Sequence, residues 1–446
     1  MRRIGILGHF GTENLGDEAV IAGVLHQIRD RYPDAEIVAF TGHPDDALRR
    51  HGTISFPLWR RSLASGGEGA VRPTKPPRIL AAIRNAAIRV PGLHAVLKAI
   101  RNAVRLPWLL LRELSFLAKS RDRLQGIDLL IVAGSNQLND YWGGAWGFPY
   151  TLLKWCILAK SVGAKIAFLC CGAGPLHSWL GRRFITYSLS LADCRSYRDV
   201  GSRRLMASFG APADDPVCTD LAWGLRLGPS GQREASSRLV VGLNPLPFFD
   251  PRYWPEQDAA RYESYVAKLA TFAAWLKARG HSVVFFPTQL RADPPVIEDI
   301  RTSMGGAGET IGDDPIADRP MLTLDDLILR LSMMDVVVAT RYHGVLLAAA
   351  VHRPVLAIAY YQKTIDLMTQ IGQPDYVVDI TSFDAASLAK RFVMIESNIQ
   401  SIRREIEQRA LGLRQAVKKE CDRVFRLLED PRSIGARDAR APALVS

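Results

Sequence analysis

The sequence predicts an α/β protein of two doubly wound domains that face each other across a cleft. Three observations carry this prediction. Short apolar runs alternate with longer helical patterns, the grammar of parallel sheets covered by helices. The alternation runs twice, once from Arg3 to Ala222 and again from Leu239 to Ala359. A Gly-Pro-Ser-Gly run at residues 228–231 separates the two series as a hinge. At 446 residues the chain exceeds one ordinary domain, and 48% hydrophobic residues suffice for a sizeable core.

The first series opens with Ile4-Gly5-Ile6-Leu7, a buried strand. A Gly-rich turn, a helix from about Asp17 to Tyr32 and a strand from Glu36 to Thr41 follow. From about residue 57 to 126 the rhythm breaks into a basic helical insertion. Residues 65–69 and 73–77 are linker-like, and basic helical stretches between Ile79 and Leu124 are interrupted at Pro91 and Pro107. Strands are then expected at Asp128–Ala133, Lys165–Cys171 and Cys194–Arg198. Helices are expected at Pro149–Val162, Phe184–Ser190 and Val200–Phe209, and Val217–Ala222 ends the half.

The second series reads as strands Leu239–Asn244, Ser282–Pro287, Val336–Ala339 and Val355–Ala359. Helices Tyr262–Arg279, Leu324–Met333 and Gly344–Ala350 lie between them. The expected division is an N-terminal domain over 1–227, a C-terminal domain over 228–382, closing helices over 383–429 and a disordered tail over 430–446.

The net charge of +12 is local rather than spread. Between Arg60 and Arg123 there are fourteen Lys/Arg and three Asp/Glu, and the rest of the chain is nearly neutral. Arg101, Arg105 and Arg112 beside Leu106, Trp108, Leu109, Leu110 and Leu111 fit a helix lying on an anionic membrane surface. The bland reading is a solvated face. No RNA- or DNA-binding signature accompanies the charge, so no nucleic acid partner is expected. No run approaches the ~20 apolar residues of a membrane span. The apolar start is too short for an export signal and runs at once into Glu13, Asp17 and Glu18, so a cytoplasmic protein is expected. The six cysteines read as free thiols, and no Cys/His cluster has metal-ligand spacing, so neither metal nor cofactor is implied.

Four segments place chemistry at strand ends, where doubly wound sheets bind ligands. Gly8 to Glu18 joins a strand to a helix, and its glycines and helix N-terminus suit an anion. It lacks the Walker lysine and the GxGxxG spacing. Gly134-Ser135-Asn136-Gln137 sets polar side chains after the next strand. Arg198 ends a third strand, where a guanidinium fork suits carboxylate or phosphate. Thr340-Arg341-Tyr342-His343-Gly344 and Tyr360-Tyr361-Gln362-Lys363 end two adjacent buried strands. Arg341, His343 and Lys363 would form a cationic cluster around a proton carrier, an arrangement packing alone explains poorly.

This combination resembles the polysaccharide pyruvyl transferase family. The residues that carry the resemblance are the Gly11-to-Asp17 turn, the Arg198-Asp199 and Ser202 pattern with Asp220 after it, the Arg341-x-His343 element and Lys363, over about residues 3–375. One departure stands out: a Gly-Gly-Gly run usual in the family reads Gly134-Ser135-Asn136 here, so side chains fill space that backbone usually leaves open.

The resemblance implies two Rossmann-like domains of GT-B-like arrangement, phosphoenolpyruvate as donor and a saccharide acceptor, lipid-linked if the insertion binds membrane. It assigns His343 as general acid/base, with Arg341, Arg198 and Lys363 holding the donor's two anionic groups. Gly11, Asn14, Gly16, Asp17, Ser135 and Asn136 would line the opposite, acceptor wall. Two rivals stand beside it: a GT-B nucleotide-sugar glycosyltransferase, and a catalytically silent, membrane-associated homologue.

Overall fold

The structure is a computed structural model that describes residues 1–60, 93–141, 143–228, 238–254, 256–305 and 321–429, with backbone alone over 93–106. The expected hinge at 228–231 and tail at 430–446 lie wholly or largely outside the described residues, as does residues 61–92 of the insertion.

Six parallel strands build the first sheet: β1 (Arg3–Leu7), β2 (Glu36–Thr41), β3 (Ile54–Pro57), β4 (Leu129–Ala133), β5 (Lys165–Cys171) and β6 (Cys194–Tyr197). Their order is β3-β2-β1-β4-β5-β6. The connecting helices are α1 (Leu15–Arg31), α2 (Pro44–His51), α3 (Leu93–Leu124), α4 (Phe148–Ser161), α5 (Trp179–Ser190) and α6 (Val200–Ala207). All five residues of β4, Leu-Leu-Ile-Val-Ala, are buried, as expected of a strand covered on both faces. The order reverses between β1 and β4, so the loops after these two strands open into one crevice.

The second sheet holds β7 (Val240–Asn244), β8 (Ser282–Phe285), β9 (Val336–Ala339), β10 (Val355–Ala359) and β11 (Val377–Asp379), in the order β11-β10-β9-β7-β8. Its helices are α7 (Ala259–Ala278), α8 (Asp293–Ser303), α9 (Leu324–Ser332), α10 (Tyr342–Ala350) and α11 (Gln362–Gln370). The chain closes with α12 (Ala385–Glu396) and α13 (Ile399–Phe425).

Five elements were not legible in the sequence: α2, β3, α8, α11 and β11. Helix α8 begins Asp-Pro-Pro, which reads as a turn, although proline suits the first helical turn because no backbone N–H is needed there. Pro107 does not interrupt its helix as expected. The α3 helix runs through it from Leu93 to Leu124, since a long helix can absorb one lost backbone hydrogen bond. Val217 makes only an isolated bridge to Tyr197, and a 3-10 turn over Leu221–Gly224, capped by Asp220, ends the first half.

Helix α13 ties the halves together. Arg403 donates to Asp335 at 3.1 Å beside the second sheet, and Arg423 donates to the Arg195 carbonyl at 2.6 Å beside the first. One apolar cluster accordingly contains Leu221 and Trp223 from the first half, Leu346 and Leu347 from the second, and Val417 from α13. Among the described residues no helix is long and apolar enough to cross a membrane.

Candidate active site

The first wall of the crevice is the loop after β1. Gly11 has φ +73°, and a Cβ there would stand 2.7 Å from the His43 carbonyl, so this tight turn requires glycine. Its N–H donates to buried Glu18 at 2.7 Å. Asn14 caps α1 by accepting from Gly16 N–H at 3.1 Å, and its amide donates to Asp17 at 2.9 Å. The Ser135 hydroxyl, from the loop after β4, donates to the other Asp17 oxygen at 3.2 Å. Ser135 takes a left-handed backbone, φ +54°, and so keeps the conformation a glycine would adopt freely. Burial raises the Asp17 carboxyl, with His9 and His343 acting against burial.

The second wall begins where β9 ends. Arg341 is the N-cap of α10, which places Tyr342 and His343 in that helix's first turn. His343 lies directly over the N-terminus of α1. A Cβ at Gly16 would fall onto the His343 ring. The Nε2 of His343 is buried with no hydrogen-bond partner and faces Asp220 Oδ2 at 3.7 Å, a distance of electrostatic contact rather than of a hydrogen bond.

Asp220 is the centre of the cluster. Its carboxylate caps the Leu221–Gly224 turn by accepting from Ala222 N–H at 3.0 Å and also meets Arg198 at 3.4 Å. Burial opposes its ionisation, but His343 and Arg198 outweigh burial and hold the carboxyl at about 2. Arg198 lies 5.6 Å from the Tyr342 ring centre, and the Lys363 ammonium lies 5.3 Å from the same ring and 5.3 Å from the Tyr361 ring. Among the described residues no carboxylate or carbonyl pairs with Lys363. Burial, reinforced by the Arg198 charge, pushes its ammonium down to about 8. The Tyr342 phenol is held well above its usual value by burial and by Asp220, so it remains a proton-bearing group.

The structure thus brings together six of the predicted residues: Asn14, Asp17 and Ser135 in one hydrogen-bonded chain, and His343, Arg198 and Lys363 around Tyr342 and Asp220. Gly16 is the surface on which His343 rests. Asn136 is exposed beside Gly172, where a Cβ would meet both Asn136 Oδ1 (3.1 Å) and Arg198 Nη2 (2.8 Å). Gly11 shapes the loop from behind. Arg341 stands differently from expectation, because its guanidinium is held by Asp293, a fully buried carboxylate at the start of α8. Asp293 also accepts from Thr288 and Gln289 N–H at 3.0 and 2.9 Å. That segment pairs with the first wall: Leu15 N–H donates to the Thr288 carbonyl at 2.8 Å and Leu290 N–H to the Glu13 carbonyl at 3.0 Å. Sequence reasoning missed Asp293 and Tyr342. Asp293 lies in a proline-rich stretch with no apolar rhythm, and Tyr342 sat between two residues of more evident chemistry. Among the described residues no group of three His, Cys, Asp or Glu side chains is placed to hold a metal ion.

The sequence profile of the polysaccharide pyruvyl transferase family matches residues 14–362. No curated protein matches the chain in sequence. Solved structures with the same fold include the S. aureus MnaA–UDP complex, at 10% identity and TM-score 0.53 over 96% of this chain and 97% of that one. UDP-GlcNAc 2-epimerase from Neisseria meningitidis bound to UDP-GlcNAc gives 11% and 0.50 over 95% and 100%. The α,α-trehalose 6-phosphate synthase from Burkholderia multivorans gives 15% and 0.50 over 98% and 99%. These likenesses establish a GT-B-type pair of parallel-sheet domains.

The contact between Gly16 and His343 generates the first prediction. Gly16→Ala forces the His343 ring away from α1 although alanine favours a helix by about 1 kcal/mol over glycine. The His343 imidazole resonances should shift in NMR spectra while the circular dichroism stays that of the wild type. Unshifted resonances would mean that the ring does not rest on Gly16.

Proposed function

This chain belongs to the polysaccharide pyruvyl transferase family, and from that premise we propose that it transfers the enolpyruvyl unit of phosphoenolpyruvate to a saccharide and closes it as a pyruvate ketal. The observation that carries the reading is the grouping of Arg198, Lys363 and His343 about one tyrosine ring, with no carboxylate paired to Lys363 among the described residues. Phosphoenolpyruvate brings a carboxylate and a phosphate, and Lys363 and Arg198 supply two cations for them. Arg341 adds a third charge whose direction Asp293 fixes.

The chemistry follows from these positions. His343 donates a proton to the methylene carbon of phosphoenolpyruvate, and C2 becomes electrophilic. A sugar hydroxyl attacks C2, and its proton passes by way of His343 to the departing phosphate. The bond from C2 to the bridging oxygen then breaks, and inorganic phosphate leaves with its electron pair, drawn off by Lys363 and Arg198. A second hydroxyl of the same sugar closes on C2, and its proton returns to the base. Asp220, ionised and 3.7 Å from Nε2, stabilises positive charge on the ring between these steps. Asn14, Asp17 and Ser135 form a polar wall able to orient sugar hydroxyls. The left-handed Ser135 supports an active rather than a silent homologue, because the backbone path of a glycine is retained despite the side chain.

His343→Ala should lower acceptor-dependent phosphate release from phosphoenolpyruvate by about 10²–10⁴-fold with unchanged circular dichroism. Wild-type rates in that variant would refute the assignment.

The acceptor is proposed to be lipid-linked and the protein to work at the cytoplasmic face of an anionic membrane. The outward face of α3 supports this: Trp108, Leu110, Leu111 and Leu114 are 55–66% exposed, in the most basic part of the chain. Arg112 lies 4.3 Å over the Trp108 ring, a pairing suited to the headgroup level. Co-sedimentation with phosphatidylglycerol vesicles at low salt should be lost in a Trp108→Ser, Leu111→Ser variant. Equal sedimentation of the two proteins, or none with either, contradicts the proposal.

A further inference from the structure

A second cavity, of about 850 Å³, lies between the domains, along the face of α1 from Glu18 to Arg29, and so starts just past Gly16, which His343 covers. Helices α1 and α2 wall it on one side, and α9, the C-terminal end of α10 and α13 on the other. None of the residues assigned above to the donor or to the acid/base role lines it.

Its polar lining is short of negative charge. Its carboxylates are Glu18, Asp46 and Asp325, against the arginines Arg29, Arg49, Arg50, Arg226 and Arg414. Asp46 is already engaged by Arg49 and Arg50, and Glu18 by His51 at 2.6 Å. Arg29 donates to the His51 carbonyl at 3.1 Å and Arg414 to the Ala350 carbonyl at 2.7 Å, so both hydrogen bonds go to neutral acceptors, while the Glu407 carboxylate acts on Arg414 and His352 through space. Arg414 Nε and His352 Nε2 are buried without a hydrogen-bond partner. Burial pushes both side chains below their ordinary values, which shows that their positive charge is poorly solvated here. An anion in the cavity would supply counter-charge to the Arg414 guanidinium and favour a protonated His352 ring. The rest of the lining is aliphatic and includes Leu25, Leu225, Ile328, Leu329 and Val351.

We propose that this cavity is a second binding site, for a phosphate-bearing ligand with an apolar body. The ligand contacts α1 and α2 on one side and α9 and α13 on the other, and so fixes the angle between the domains. It also reaches the catalytic loop through a single side chain. Glu18 meets His51, in the cavity wall, with Oε2 and accepts from Gly11 N–H with Oε1.

Calorimetry on the full chain tests the site with inorganic pyrophosphate and geranyl diphosphate. To separate it from the catalytic cleft, the same titrations are run on Lys363→Met. Geranyl diphosphate should bind wild type and Lys363→Met alike, and more tightly than pyrophosphate. Arg29→Gln and Arg414→Gln should each weaken it at least ~10-fold, and Arg29, near the surface, is the variant least able to disturb folding. Loss of binding in Lys363→Met, unchanged binding in both arginine variants, equal affinity for the two probes, or no binding at all would each overturn the proposal.

Discussion

One buried carboxylate, Asp220, holds the crevice together. It is nearly inaccessible to water, yet it stays ionised because His343 and Arg198 face it and its own helical turn donates an N–H. Removing a charge of this kind leaves its partners buried without compensation, a loss that exceeds the worth of any one contact. The partners come from different parts of the chain. Arg198 ends the first sheet and His343 follows β9 of the second, so Asp220 couples the meeting of the domains to the assembly of the site.

Close backbone approach is the second constraint. His343 reaches its place only because Gly16 has no side chain, and Arg198 and Asn136 crowd the space where Gly172 would carry one. Asp293 does the corresponding work on the far side, gripping Arg341 with one oxygen and the strap that pairs with the first wall with the other. Lys363 is the exception to this pairing. Its depressed value means that the unfolded chain binds a proton more tightly, so its contribution to folding improves as pH rises from about 8 to about 10.4. An anionic ligand removes that penalty at lower pH by supplying the missing counter-charge.

The sheets were legible because parallel strands buried on both faces write themselves as apolar runs, as in Leu129–Ala133 and Val336–Ala339. The strand-end chemistry at Arg198, Arg341, His343 and Lys363 followed from knowing where such sheets bind. What stayed hidden lacks local periodicity. Asp293 gains its role from a partner 48 residues away, and Asp220, though named in the motif, takes its central place from a turn that packs against α1. The Pro107 helix shows the opposite error, a strong local signal outweighed by the length of the helix around it. Ser135 shows why a motif read letter by letter can mislead, since its backbone does what a glycine would do.

The most direct test of the account is calorimetric titration of phosphoenolpyruvate into the protein at pH 8, in two buffers of different ionisation enthalpy. A lysine held at about 8 and repaid with an anion should take up as much as about half a proton per ligand bound, and Lys363→Arg, always charged, should bind without uptake. Failure of phosphoenolpyruvate to bind, or binding with the same proton balance in both proteins, would contradict the proposal that Lys363, unpaired among the described residues, receives the donor's anionic groups.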